Sequence, residues 1–472
     1  MWSRIPGARR AGAAAAALLV ASCTGAGGDG APPSSSSAPA SGTLAVAGQG
    51  ARPAAGEPAR QPRPGDLNGD GYDDAAVAVG PDRIAVVYGS AHGLDPRTRS
   101  TLRAELPGQR VTGVPWARFA RGDLDGDGFT DLLVTLETGQ QYALWGGPRG
   151  VTRPTRLPGG TAVVVGRETL DWEAGRVGDF DGDGAADVYR LAAYDGTGTP
   201  SGGTVSYGPF DRGGRPARTQ RLDGKRPADS APYKAVAGDY DGDGRDELTV
   251  WFRWTDPDSE GDGDTTVLAV HHFHGGPRGL SLTQRSRTGE GYAGVPADAD
   301  GDGDDELVSA AMNGSERTLT LSVNQDPGTG APSTRTIPGV EVGDAEGRAV
   351  GDVTGDGRPD LVVASPHADT QQGLVYLVPD VARAPAARPQ SVGLDTPGIH
   401  GASERRRSRV RFQSRPPLLD ADGDGHLDVV AQTERGRGLR GLWLLPGSGT
   451  GLDATGSRFI SARELGLPAA DR

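Results

Sequence analysis

The sequence predicts an all-β chain built from seven copies of one four-stranded antiparallel unit. Three observations carry the prediction. A nine-residue acidic motif, Asp-x-(Asp/Asn/Thr)-Gly-Asp-Gly-x-x-(Asp/Glu), begins at Asp66, Asp123, Asp179, Asp239, Asp298, Asp352 and Asp420, at intervals of 54–68 residues. Each copy is followed by short Val/Leu/Ala-rich runs bounded by Gly and Pro. No helix-period stretch competes outside the N-terminus. A fixed period of this length marks one supersecondary unit repeated, each copy burying its faces on its neighbours.

The strands follow in order. After the motif come 75–79, 132–136 and 361–364, continuous apolar runs of the kind packed on both faces. A further strand follows a turn at 84–89, 142–146, 204–208 and 374–377, and shorter apolar segments such as 113–120 complete the unit. Four antiparallel strands per repeat, seven times around a ring, make a seven-bladed β-propeller whose radial repetition leaves only short edges. If the acidic motif joins the first and second strands, one face of the ring carries all seven motifs. The opposite face then carries the variable loops.

The motif itself reads as a cation cage. In the second copy Asp123, Asp125 and Asp127 alternate, Gly126 and Gly128 permit a tight curl, Phe129 offers its carbonyl, and Asp131 closes the cage. The same roles at positions one, three, five, seven and nine fall to Asp66, Asn68, Asp70, Tyr72 and Asp74 in the first copy. The third has Asp179, Asp181, Asp183, Ala185 and Asp187, and the fourth Asp239, Asp241, Asp243, Arg245 and Glu247. The fifth has Asp298, Asp300, Asp302, Asp304 and Glu306, and the sixth Asp352, Thr354, Asp356, Arg358 and Asp360. The seventh has Asp420, Asp422, Asp424, His426 and Asp428. An oxygen-only, carboxylate-rich set suits Ca²⁺, up to seven ions, better than Mg²⁺, with its stricter octahedron. With no His or Cys among the proposed side-chain ligands, zinc and copper fit poorly. The first and sixth cages carry one fewer carboxylate and are expected to bind more weakly.

An EF-hand loop needs Glu at position twelve and a following helix. Position twelve is Val77, Val134, Arg190, Val250, Ser309, Val363 and Ala431, and strands follow instead.

The Gly-Asp-x-(Asn/Asp)-Gly-Asp-Gly-x-x-Asp loop, the apolar strand after it and the Val-Tyr-x-Gly-like strand beyond resemble the FG-GAP/VCBS repeat. The resemblance covers about residues 60–472. It implies the seven-bladed propeller of integrin α-subunit headpieces and of many secreted bacterial proteins, with calcium in its loops. The Gly-Ala-Pro element of the repeat survives only loosely, as Ala364-Ser365-Pro366. The partner does not carry over, because such propellers serve adhesion, glycan binding and enzymes alike.

The N-terminus reads as an address. Arg4, Arg9 and Arg10 precede an apolar run, Ala11 to Val20, too short to span a bilayer, and Val20-Ala21-Ser22-Cys23 resembles a bacterial lipobox. Residues 1–22 are therefore assigned to a lipoprotein signal peptide and the sole cysteine, Cys23, to lipidation, with an ordinary secretory signal as the alternative. Residues 23–60, rich in Ala, Pro, Ser and Gly, are assigned to a disordered linker, and 61–472 to the propeller. The product is expected outside the cell membrane, anchored through lipid alone.

Cage side chains account for 26 of the 62 acidic residues, so the net charge of −13 is mostly ligand charge and argues against nucleic-acid binding. An acidic insertion at 256–264 reads as a solvated hairpin tip rather than an eighth ion site. The basic run at 405–411 reads as a solvated loop, with docking on an anionic polymer as the alternative. Arg121-Gly122-Asp123 spells an integrin-ligand tripeptide but gives its Asp to the cage, and 436–441 matches a dinucleotide fingerprint in letters only. His271, His272 and His274 could bind a transition metal, but their place in a blade strand favours packing or exposure. Trp116 and Trp172, each seven residues before a cage, favour blade packing over sugar stacking.

No catalytic constellation is present. The leading expectation is a calcium-binding surface module, a monomer, that binds or adheres to an extracellular protein or polysaccharide. The alternative is a polysaccharide lyase or hydrolase on the same scaffold.

Overall fold

The computed structural model describes residues 43–467 apart from 54, 60–62, 80–82, 106–117, 137–139, 160–175, 191–202, 223–229, 255–265, 287–293, 314–317, 325–331, 341–346, 366–373, 384–388, 401–416 and 436–437. Seven four-stranded antiparallel sheets make up this region, and no helix occurs among the described residues. The second sheet is β5 (Arg118–Gly122), β6 (Asp131–Thr135), β7 (Gln141–Leu144) and β8 (Thr155–Arg156), paired in sequence order. The third is β9 (Arg176–Gly178), β10 (Asp187–Arg190), β11 (Thr204–Tyr207) and β12 (Arg218–Arg221). The fourth is β13 (Ser230–Gly238), β14 (Glu247–Trp254), β15 (Thr266–His274) and β16 (Ser281–Ser286). The fifth is β17 (Val295–Ala297), β18 (Glu306–Asn313), β19 (Thr318–Asn324) and β20 (Ser333–Pro338). The sixth is β21 (Gly347–Gly351), β22 (Asp360–Ser365), β23 (Leu374–Val378) and β24 (Gln390–Gly393). The seventh is β25 (Leu418–Leu419), β26 (Asp428–Arg435), β27 (Gly438–Leu445) and β28 (Arg458–Ser461). The first strands β5, β9, β13, β17, β21 and β25 approach one another in succession, which places them innermost.

The first sheet is built differently. Its order is β1 (Thr43–Gln49), β4 (Asp95–Glu105), β3 (Arg83–Tyr88) and β2 (Ala75–Val79). Here β2 follows the cage, as β6 does, and β1 is added at the outer edge against β4. Thr43–Gln49 is thus a strand inside the segment assigned to a disordered linker, which corrects that assignment for these residues. Leu44 alone reaches the core, so the run blends into its Ala/Gly/Pro-rich surroundings. The chain then returns across the cage face, where Glu57 N–H donates to Gly69 O (3.1 Å) and Ala59 N–H to Gly128 O (2.8 Å).

Seven apolar clusters form the core among the described residues, one per blade interface. Side-chain alternation explains why the strands after each cage are continuously apolar. Leu132 and Val134 of β6 enter the cluster shared with the first blade, whereas Leu133 enters the one shared with the third. In β22 Leu361 and Val363 face the fifth blade and Val362 and Ala364 face the seventh.

Among the described residues no sheet joins the first blade to the seventh, and the ring closes through packing and hydrogen bonds. Residues of the first and seventh blades form one cluster, including Val77, Val87, Leu419 and Val430. Asp73 N–H donates to Asp420 O, Asp420 N–H donates to the Asp73 carboxylate (both 2.9 Å), and Ser90 N–H donates to Ala421 O (3.1 Å). Arg63 spans the same seam, 2.9 Å from Asp420 and 3.4 Å from Asp73. Replacing Asp73 by Ala leaves the buried Asp420 N–H without its acceptor, which costs about 1–3 kcal/mol. Urea unfolding of Asp73→Ala should show that loss, with hydrogen exchange accelerated first in β2 and β26. An unchanged midpoint would refute this account of closure.

Candidate metal centre

Each acidic motif is a loop between the first and second strands of its blade, or, in the first blade, the loop leading into β2. All seven therefore lie on one face, as the sequence requires. The glycines at positions four and six have positive φ in every copy, from Gly69 (72°) and Gly71 (92°) through Gly423 (75°) and Gly425 (89°). With no side chain at these positions, the backbone turns its N–H groups inward onto the first carboxylate. Asp123 accepts from Gly126 N–H at 2.8 Å and Gly128 N–H at 2.9 Å, and Asp179 accepts from Gly182 (2.8 Å) and Gly184 (2.9 Å). Position five in turn accepts from the N–H of position seven, as Asp183 does from Ala185 at 2.9 Å and Asp356 from Arg358 at 3.0 Å.

Position nine holds the loop to its blade. Asp131 accepts from Leu124 N–H at position two (2.8 Å) and from Gly146 N–H, just past β7 (2.7 Å). Asp74, Asp187, Glu247 and Asp360 make the same two bonds. The carboxylate thus ties loop, second strand and the end of the third strand together.

The loops bring their carboxylates together. Ligand atoms of Asp123, Asp125 and Asp127 lie within 4.8 Å of one another, as do those of Asp298, Asp300 and Asp302. Asp179, Asp181 and Asp187 form a further such group, and so do Asp239, Asp241 and Glu247, so position nine joins the convergence. Burial, followed by repulsion from neighbouring cage carboxylates, acts on these acids. It pushes Asp131, Asp187 and Asp428 up to about 8 and Glu247 and Glu306 up to about 7, against backbone N–H donation that favours the charged form. Asp125 Oδ1, Asp181 Oδ1 and Asp420 Oδ1 are buried with no hydrogen-bond partner, and so is Asp428 Oδ2 in the seventh cage. A buried carboxylate oxygen left in that condition is costly unless a cation completes it.

Several residues at the cages lie outside the proposed ligand set. Asp73, Asp246 and Asp305 occupy position eight, where their carboxylates accept the N–H of the preceding cage's first residue, Asp420 (2.9 Å), Asp179 (2.7 Å) and Asp239 (3.2 Å). The paired acids Asp73-Asp74, Asp246-Glu247 and Asp305-Glu306 are the sequence signal for this bond. Arginines also reach in, Arg212 from the blade after the second cage and Arg218 from the outer strand of the third cage's own blade. Arg212 lies 2.6 Å from both Asp125 and Asp127, and Arg218 lies 2.6 Å from Asp181 while covering the Tyr207 ring. No spacing rule reveals these, because they come from separate loops and strands.

The histidine run divides. His271 is buried against Phe252 and Phe273, and His272 bonds Thr249 at 3.0 Å, which agrees with packing. His274 instead faces the fourth cage, 3.2 Å from Asp241 and 3.1 Å from Glu247, which neither packing nor simple exposure anticipates. At position seven Arg358 turns to Asp380 (3.0 Å) and His426 to Asp424 (3.2 Å). Arg121 and Gly122 belong to β5 and Asp123 to the cage, as expected, and Gly438–Gly441 lies in β27 rather than before a helix. Cys23, Trp116, Trp172, the acidic insertion and the basic run lie outside the described residues.

An FG-GAP-like repeat model matches residues 123–190 and 298–363, and an FG-GAP repeat model matches 349–378. The chain is a seven-bladed propeller that carries FG-GAP-like repeats. Integrin alpha-IIb of Mus musculus is 37% identical over 89 residues, 17% of this chain, and integrin alpha-PS5 of Drosophila melanogaster 37% over 76 residues, 15% of this chain. The chain spans 8% of the length of each of these relatives. A solved rhamnogalacturonan lyase aligns over 88% of this chain and 92% of its own, with 13% identity and a TM-score of 0.37, a likeness too low to carry an argument.

Two predictions follow from the geometry of these FG-GAP loops. Without a cation, the position-nine acids Asp131, Asp187 and Asp428 hold protons more tightly folded (about 8) than unfolded (3.8). Their contribution to stability is complete below about pH 4 and is lost as pH rises through about 8. Thermal unfolding in chelator should therefore drop between about pH 5 and 8; a flat or rising midpoint would contradict it. Ala at Gly126 has room, its nearest neighbours being 3.7 Å away, and should cost only the left-handed backbone penalty of about 1–2 kcal/mol. Ala at Gly69 would place Cβ 2.3 Å from Glu57 O and should cost clearly more in the same urea titration.

Proposed function

We propose that this propeller is a calcium-stabilised binding module at the cell surface, whose partner is an extracellular protein or polysaccharide. The observation that carries the calcium reading is the buried, unpartnered oxygens Asp125 Oδ1, Asp181 Oδ1 and Asp420 Oδ1 inside carboxylate clusters shaped by glycine pairs. An all-oxygen set at flexible spacing is the donor chemistry calcium takes. Side chains at positions one, three, five and nine, with the position-seven carbonyl, would hold the ion. Bound calcium would supply positive charge where burial and repulsion now favour protonation. Because position nine is bonded to both strands of its blade, the ion would lock loop to blade.

The surface location rests on the export signal read in residues 1–22 and on Cys23, and it agrees with the integrin α likeness. Residues 56–59 already run across the first two cages, which leaves the opposite face, with its variable loops, as the docking face.

The test incubates the exported protein with cell-wall and exogenous polysaccharides, and with candidate surface proteins, in calcium and in chelator. Retention in calcium and loss of retention in chelator are expected, with polymer length unchanged. Retention that survives chelation would contradict the calcium dependence, and shortened polymer would replace the binding module by an enzyme.

A further inference from the structure

We propose that the fourth cage is a zinc-class site, in which the imidazole of His274 joins Asp239, Asp241 and Glu247 around one divalent cation. The inference rests on the reading that these loops hold cations, and it separates one loop from the rest by its donor chemistry.

His274 closes strand β15 and precedes Gly275, whose N–H donates to Glu247 at 3.1 Å. In the first three blades the residue at this place, immediately before the glycine that caps position nine, is Tyr88, Trp145 or Tyr207. Those aromatic rings are buried between blades. The shorter imidazole of the fourth blade turns toward the cage instead. Its Nδ1 lies 3.2 Å from Asp241 Oδ2 and 3.1 Å from Glu247 Oε1. Asp239, Asp241 and Glu247 form one compact ligand group, and Asp241, Asp243 and His274 another, each with its atoms within 4.8 Å. Asp241 belongs to both groups, and Glu247, also beside His274, belongs to the first. Arg245 engages Asp243 from outside, which leaves His274 as the fourth donor beside the three other carboxylates.

Calcium takes oxygen donors and gains little from an imidazole, whereas His with Asp and Glu is a donor set that zinc accepts. The Nδ1 position that now faces two carboxylates is where a metal would replace a proton. The position is also anchored: Gly275 fixes the end of β15 to Glu247, so the imidazole does not depend on a mobile loop. His426 offers no equivalent, because its ring reaches only Asp424 of its own loop.

The test titrates the full chain, kept in excess Ca²⁺, with Co²⁺ as a spectroscopic probe, followed by displacement with Zn²⁺. One equivalent of Co²⁺ should bind with visible absorption bands and be displaced by Zn²⁺. Affinity should fall by at least about tenfold in His274→Asn, since even outer-shell partners act on that scale. His274→Tyr, which restores the residue of the first and third blades, should fold, keep its calcium stoichiometry and lose the Co²⁺ bands. Equal Co²⁺ binding in wild type and both variants would show that His274 is only an ion-pair partner and overturn the assignment. Co²⁺ binding without any calcium binding would overturn the calcium reading and leave this one standing, and binding of neither ion would overturn both.

Discussion

One backbone hydrogen bond organises this ring. The N–H at position eight of a cage donates to the carbonyl at position one of the cage before it. It recurs at Asp73 to Asp420, Ala186 to Asp123, Asp246 to Asp179, Asp305 to Asp239 and Leu427 to Asp352, over 2.6–3.0 Å. At these five junctions the loop is both the acidic cage of its own blade and the contact by which the next blade is registered. The sixth cage has Pro359 at position eight and so lacks the donor, and in the second the Thr130 hydroxyl bonds Arg63 instead. Because the same bond also spans the seam between chain ends, the ring closes without a shared sheet, and its apolar clusters can then be one per interface.

The cost of this arrangement is electrostatic. Aligning loops so that their backbones link blades also draws three or four carboxylates into each cluster and buries the ninth position. Backbone N–H groups answer part of that charge, and arginines answer more at the second and third cages, where Arg212 and Arg218 hold the outer oxygens. The inner oxygens Asp125 Oδ1 and Asp181 Oδ1 keep no hydrogen-bond partner. The arginines therefore orient the outer oxygens and leave the inner ones uncovered.

The repeat was legible because its residues are constrained locally. Glycine pairs such as Gly126 and Gly128 are demanded by positive φ, and the alternation of Asp123, Asp125 and Asp127 by convergence within a single loop. Continuous runs such as 131–135 announce strands buried on both faces. What was missed depends on distant chain. Thr43–Gln49 is a strand because β4 offers it an edge, and nothing in Thr-Leu-Ala-Val-Ala-Gly-Gln declares that partner. His274 is drawn to the fourth cage because Gly275 is bonded to Glu247, a relation between two strands that periodicity does not carry.

The sequence by itself determined the repeat unit, the all-β blades and the acidic loops, since each follows from backbone conformation and side-chain alternation over fewer than ten residues at a time. Only the tertiary structure decided which blade neighbours which cage, how the first and seventh blades meet, and which arginine or histidine completes a given loop. Those relations are set by packing between segments tens to hundreds of residues apart. Arg63 and Asp420, joined at 2.9 Å across the closing seam, are the clearest case. Local sequence fixes the geometry of each loop, and the closed ring fixes its company.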